Sequence, residues 1–100
     1  MKDLSGKVAV ITGGGSGIGK ELAIQLAQKG MKVVIASTND EKLRAAAEDI
    51  RKAGGKDVLG VKTDVSKREQ VVNLHDEAVK AFGQVDLLVC NAGVTTSGPC

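Results

Sequence analysis

The residues best suited to chemistry sit near the N-terminus, in the stretch Thr12-Gly13-Gly14-Gly15-Ser16-Gly17-Ile18-Gly19. Five of the seven positions from Gly13 to Gly19 are glycine. An apolar run, Val8-Ala9-Val10-Ile11, leads into the stretch, and apolar residues at helical spacing lead out of it. A strand-to-helix turn leaves the first N–H groups of the helix unpaired, and about half a positive charge collects there. Such a turn is a ready anion site. Glycine permits positive φ and lets a phosphate approach with no Cβ in the way. A tight turn without a ligand is the plainer alternative, but five glycines exceed what a turn requires. The chemistry expected is diphosphate binding by backbone amides.

Three further polar clusters follow short apolar runs. Ser37, Thr38 and Asn39 follow Val33-Val34-Ile35-Ala36; Asp64 and Val65 follow Val58-Leu59-Gly60-Val61; Asn91-Ala92-Gly93 follows Leu87-Leu88-Val89-Cys90. The elements between them are helices by their period. The first shows Ile18, Leu22 and Leu26 with Ala23 and Ala27, and Gly30 ends it. Asn39 or Asp40 caps the second, whose apolar face is Leu43, Ala46, Ala47 and Ile50 and which stops at Gly54-Gly55. Ser66 and Glu69 have capping-box spacing for the third, which carries Val71, Val72, His75, Ala78, Val79 and Phe82 and stops at Gly83. The tail from Asn91 to Cys100 reads as loop.

The order β-α-β-α-β-α-β with right-handed crossovers gives an α/β fold: a partial, Rossmann-type doubly wound parallel sheet with helices on both faces. Its four strands are expected in the order 3-2-1-4. Open sheets of this kind bind ligands beyond the carboxyl ends of their strands. Thr12, Ser37, Asp64 and Asn91 all fall at such ends.

Composition removes other classes. Fourteen basic and twelve acidic residues are spread along the chain and give +2, too balanced for a nucleic-acid partner. No apolar run is long enough to span a bilayer, and no membrane partner is expected. Two cysteines exclude a disulfide scaffold, and the N-terminus lacks the features of a secretory or transit segment, so a cytoplasmic setting is expected. His75 has no second histidine and no nearby cysteine, so no metal site is expected; it reads as a partly buried or interfacial structural residue. Cys90 reads as a small apolar residue, and Cys100 has no base beside it. Lys20, Glu21, Glu41, Arg44, Glu48, Lys67, Arg68, Asp76, Glu77 and Lys80 read as solvated helix surface.

The strict G-x-G-x-x-G fingerprint fits in no register. The spacing T-G-x-x-x-G-x-G does fit, through Thr12, Gly13, Gly17 and Gly19. With Asp64-Val65 and Asn91-Ala92-Gly93 in order behind it, the sequence resembles the short-chain dehydrogenase/reductase family from Leu4 to about Gly93. The resemblance implies an NAD(P)-dependent oxidoreductase that transfers hydride between nicotinamide and a carbonyl or alcohol substrate. It places Gly13, Ser16, Gly17, Ile18 and Gly19 at the diphosphate, and Ser37, Thr38 and Asn39 at the ribose. It places Asp64 and Val65 at the adenine, and Asn91, Ala92 and Gly93 beside the inner ribose. Asp64 could equally be a helix N-terminal acid, and Asn91 a plain Asx turn.

An acid at the end of the second strand would bind a ribose 2′-hydroxyl and repel a 2′-phosphate. Ser37 is not an acid, and neither Thr38 nor Ser16 is basic. Three small polar side chains, with Lys42 nearby, tip the expectation toward NADP(H) over NAD(H).

The family's catalytic Tyr and Lys have no counterpart, since the chain contains no Tyr. No catalytic residue is assigned. Residues 1–100 are therefore expected to be the N-terminal dinucleotide-binding half of a domain that continues past Cys100. Alone, they are expected to be inactive, and poorly stable or self-associating, because the fourth strand would be an uncovered edge. The complete protein is expected to be a homo-oligomer, with the Phe82 helix a candidate interface. A non-catalytic nucleotide-binding module is the alternative, and epimerase or dehydratase chemistry on the same fold a third reading. A Tyr-x-x-x-Lys within roughly 60–70 residues of Cys100, two strand–helix units on, would favour the enzyme.

Overall fold

The computed structural model describes residues 5–13, 17–55, 57–64 and 66–90. In chain order the elements are β1 (Val8–Thr12), α1 (Gly17–Gln28), β2 (Lys32–Ser37), α2 (Asp40–Lys52), β3 (Val58–Lys62), α3 (Arg68–Phe82) and β4 (Leu87–Cys90). All pairings are parallel and the strand order is β3-β2-β1-β4, as the alternation of elements requires.

β1 is buried along its whole length because both its edges are paired and both its faces are covered. Ala9 and Ile11 join a core with Ala23, Leu26 and Ala27 of α1 and Leu43, Ala46, Ala47 and Ile50 of α2. Val8 and Val10 face the other way, against Leu74 and Ala78 of α3. The alternation follows from the two-residue period of a strand.

The helix ends carry their expected chemistry. Gly30 N–H donates to the Ala27 carbonyl and Met31 N–H to that of Leu26, the paired bonds of a Schellman ending. Asn39 Oδ1 accepts from Lys42 N–H at 3.0 Å and caps α2. Asp86, just before β4, accepts from Val8 N–H through Oδ2 at 2.9 Å and returns its own N–H to the Val8 carbonyl. These bonds fasten the entry of β4 to the entry of β1.

The apolar face of α3 differs from the sequence expectation. Leu74 and Ala78 form the buried stripe, with Phe82 half-buried against it. Val72 is 52% exposed and Val79 37%. His75 is exposed rather than partly buried. Among the described residues one helix covers this side of the sheet against two on the other, so the enclosed part is the narrow stripe beneath α3. Leu88 of β4, on the same side, is 53% exposed. β4 is an edge strand, as expected.

Gly55 is fixed by close approach. A Cβ there would lie 2.9 Å from Ile50 Cγ2, 3.0 Å from Ala27 Cβ and 3.0 Å from the Ile50 carbonyl oxygen. Gly55→Ala should cost about 1–3 kcal/mol by overpacking the α1–α2 junction. Chemical denaturation checks this, and an unchanged midpoint would show that the junction can yield.

Candidate functional site

Parallel pairing brings the carboxyl ends of the strands to one rim. The register sets Thr12 beside Ala36 and Cys90, and Ser37 beside Lys62. Among the sequence-predicted site residues, Gly13, Gly17, Ile18, Gly19, Ser37, Thr38, Asn39 and Asp64 are described. Ser16, Val65, Asn91, Ala92 and Gly93 lie outside the described residues.

Gly13 has φ +72, a conformation that disfavours any residue with a Cβ. Its N–H donates to the Ala36 carbonyl at 2.8 Å, so this amide extends the sheet. The chain thus holds its ladder for one residue past β1 before turning toward α1. Thr12 is buried, and its Oγ1 donates to the Val89 carbonyl at 3.3 Å, across the rim to β4. α1 opens at Gly17 with no acidic residue in its first turn, so no side-chain carboxylate there opposes an anion at its N-terminus.

At the end of β2, Ser37 Oγ accepts from Asn39 N–H at 3.2 Å. Among the described residues the Ser37 hydroxyl proton meets no acceptor. The Ser37 carbonyl accepts from Thr63 N–H at 2.9 Å, and Thr63 Oγ1 donates to the Val61 carbonyl at 3.1 Å. Thr63 is 2% exposed and locks the end of β3 to that of β2, a role the sequence analysis missed because threonine is ordinary strand chemistry. Asp40 and Glu41 occupy the first turn of α2; Arg44 reaches Asp40 at only 3.9 Å, and both side chains are exposed.

Asp64 stands two residues beyond β3. Its Oδ1 accepts from Ser66 Oγ at 2.6 Å and from Ser66 N–H at 2.9 Å, while Oδ2 has no partner among the described residues. The Ser66 hydroxyl, then the Ser66 amide and more weakly Lys67, hold the carboxyl below the ordinary carboxylate range, partly offset by desolvation. Asp64 is therefore an ionised acceptor near neutral pH. The capping box expected of Ser66 and Glu69 does not form: Lys67 rather than Ser66 is the N-cap, and the Ser66 N–H that Glu69 would accept is donated to Asp64. Lys67 is the N-cap, without a side-chain bond, and Gln70 Oε1 accepts from Asp64 N–H at 2.8 Å. Gln70 lies three residues after the N-cap, but with a lysine at the N-cap no capping-box spacing marks it in the sequence.

Lys20 also departs from expectation. It is half-buried and binds Asp49 of α2, Nζ to Oδ2, at 2.9 Å. This ion pair joins the first turn of α1 to the neighbouring helix. A groove of about 330 Å³ lined by Leu43, Ala47 and Gly60 lies against the outer edge of β3, and one of about 300 Å³ lined by Ser5, Met31 and Asp57 lies at the opposite end of the sheet. Among the described residues no group of His, Cys, Asp and Glu could hold a metal, and no helix is long and apolar enough to cross a membrane.

The family model described as short chain dehydrogenase matches residues 7–100. The chain belongs to that family. It is 38% identical over 95 residues to trihydroxynaphthalene reductase PfmaI of Pestalotiopsis fici, covering 95% of this chain and 34% of that protein. It superposes on a short-chain dehydrogenase/reductase of Burkholderia phymatum in complex with NAD with a TM-score of 0.82 and 48% identity, covering 88% of this chain and 31% of the other. It superposes on L-sorbose reductase of Gluconobacter frateurii complexed with NADPH and L-sorbose with a TM-score of 0.88 and 37% identity, covering 97% and 37%. The chain spans about a third of the length of the curated relatives it matches.

The Ser66 contacts are directly testable. Ser66→Ala should raise the Asp64 pKa toward the unperturbed value of about 3.9, followed by carboxyl-carbon NMR titration. The folded-state pKa is depressed. The contribution of Asp64 to stability is therefore present above the ordinary range and lost as pH falls through the folded value, so wild type should retain it to lower pH than Ser66→Ala. Equal titration midpoints would remove the hydroxyl from the argument.

Proposed function

We propose that this chain is the N-terminal dinucleotide-binding half of an NAD(P)-dependent short-chain oxidoreductase that acts on a carbonyl or alcohol. One observation carries the reading: β1 ends beside β2 and β4, and a glycine-rich stretch of sequence joins that end to the start of α1 at Gly17. The groups present fit a dinucleotide. The amides of Gly17, Ile18 and Gly19 at the start of α1, with that of Ser16 before them in sequence, would hold the diphosphate. Ser37, Thr38 and Asn39 would meet the adenosine ribose. Asp64, ionised and with Oδ2 available, would accept from the adenine amino group while Val65 lies beside the ring. Asn91, Ala92 and Gly93 would border the inner ribose. When bound, the dinucleotide supplies or accepts hydride; this chain's residues bind and orient it. No proton-transfer role is assigned to a residue of this chain, which holds no tyrosine. The neighbours in complex with NAD, and with NADPH and L-sorbose, support the cofactor class and the substrate class.

NADP(H) is the preferred form in this reading, because Ser37 offers a hydroxyl proton where an acid would repel a 2′-phosphate. NAD(H) is favoured by a specific observation: Asp40 and Glu41 stand in the first turn of α2, directly after Asn39. A setting in a cytoplasmic homo-oligomer belongs to the same proposal.

Titration of the protein with NADPH and NADH, followed by amide NMR shifts, tests it. Shifts should concentrate on residues 13–19 and 37–39, with NADPH binding tighter. Tighter NADH would give the decision to Asp40 and Glu41. Binding of neither, or binding away from the glycine turn, would overturn the assignment.

A further inference from the structure

Lys20 is the cation in the first turn of the helix that opens on the diphosphate site, and that turn carries no acidic residue. Helical Cα–Cβ bonds tilt toward the N-terminus, so an unrestrained Lys20 side chain would lean toward the bound anion. Its ammonium instead meets the Asp49 carboxylate of α2 at 2.9 Å, with both side chains partly shielded at 36% and 47% exposure. The Lys20 hydrogen bond and charge hold the Asp49 carboxyl below its ordinary range, so it stays ionised near neutral pH.

We propose that Asp49 tunes how tightly the diphosphate is held, by occupying Lys20 and cancelling its charge. This rests on the dinucleotide reading above and adds to it a residue on a helix that does not carry the glycine turn. Binding is then left to fixed backbone amides, which hold the anion without a mobile cation folding over it. A cofactor that must leave after each turnover is released faster from such a site.

The test compares wild type with Asp49→Asn, Lys20→Met and the double variant, by calorimetric titration with ADP and with adenosine at low and high salt. Asp49→Asn should bind ADP about two- to fivefold more tightly with a steeper salt dependence, and Lys20→Met should bind it about twofold more weakly, because unbalanced single charges near a helix N-terminus act in opposite senses on an anion. The double variant and Lys20→Arg should lie near wild type, and adenosine affinity should not move. A pair that merely braces the two helices would make both single variants lose ADP affinity and melting temperature together, which overturns the proposal. Equal ADP affinity in all the proteins overturns it as well. A wild type that binds neither ADP nor adenosine brings down the dinucleotide reading itself, an outcome distinct from the other two.

Discussion

Parallel pairing of β1 with both its neighbours is the constraint on which the rest of the molecule depends. It forces each connection to cross over a face of the sheet, and the crossovers are the three helices. It also sends every strand out at the same end, so Thr12, Ser37 and the segment leading to Asp64 emerge together. No single side chain gathers the rim; the direction of the strands does. The Gly13 amide, still bonded to Ala36, shows how far the sheet governs the loop before the turn begins.

The two faces of the sheet are unequally served. α1 and α2 pack small residues closely, with Ala23, Ala27, Ala46 and Ala47 letting the helices sit near the strands. Among the described residues α3 alone covers the other face, where the buried cluster is Val8, Val10, Val34, Ala36, Leu74 and Ala78. The helices that follow β1 and β2 are thus seated on the better-packed side. The Lys20–Asp49 pair bridges that side near its polar surface, above the alanine contacts.

Much of this was legible in the sequence. Strand order, helix faces on α1 and α2, the Asn39 cap and the Gly30 ending follow from period and local chemistry, which are short-range properties. The misses share a cause. Leu74 was overlooked and Val72 and Val79 overvalued, because an apolar period shows a helix has a face but not how wide a partner it meets. Ser66 fits a capping box by spacing, yet the carboxylate two residues before it takes the Ser66 N–H and the helix starts one residue later. Lys20 and Asp49 stand 29 residues apart, and no local pattern links them. The rim was legible in its glycines and strand ends, whereas its charge balance depends on contacts that only the packed helices create.

The Asp86 clamp on Val8 spans 78 residues. The first strand to be synthesised therefore becomes fully bonded only when the last described strand arrives. β1 can pair with β2 early, but its second edge stays open until the residues of β4 have been made, at about 5–20 residues per second. Closing so long a loop carries a large entropic cost, which places the β1–β4 seam late in folding. An apolar strand with one bare edge during translation is the kind of surface that chaperones bind, and the bonds from Asp86 mark the moment at which that exposure ends.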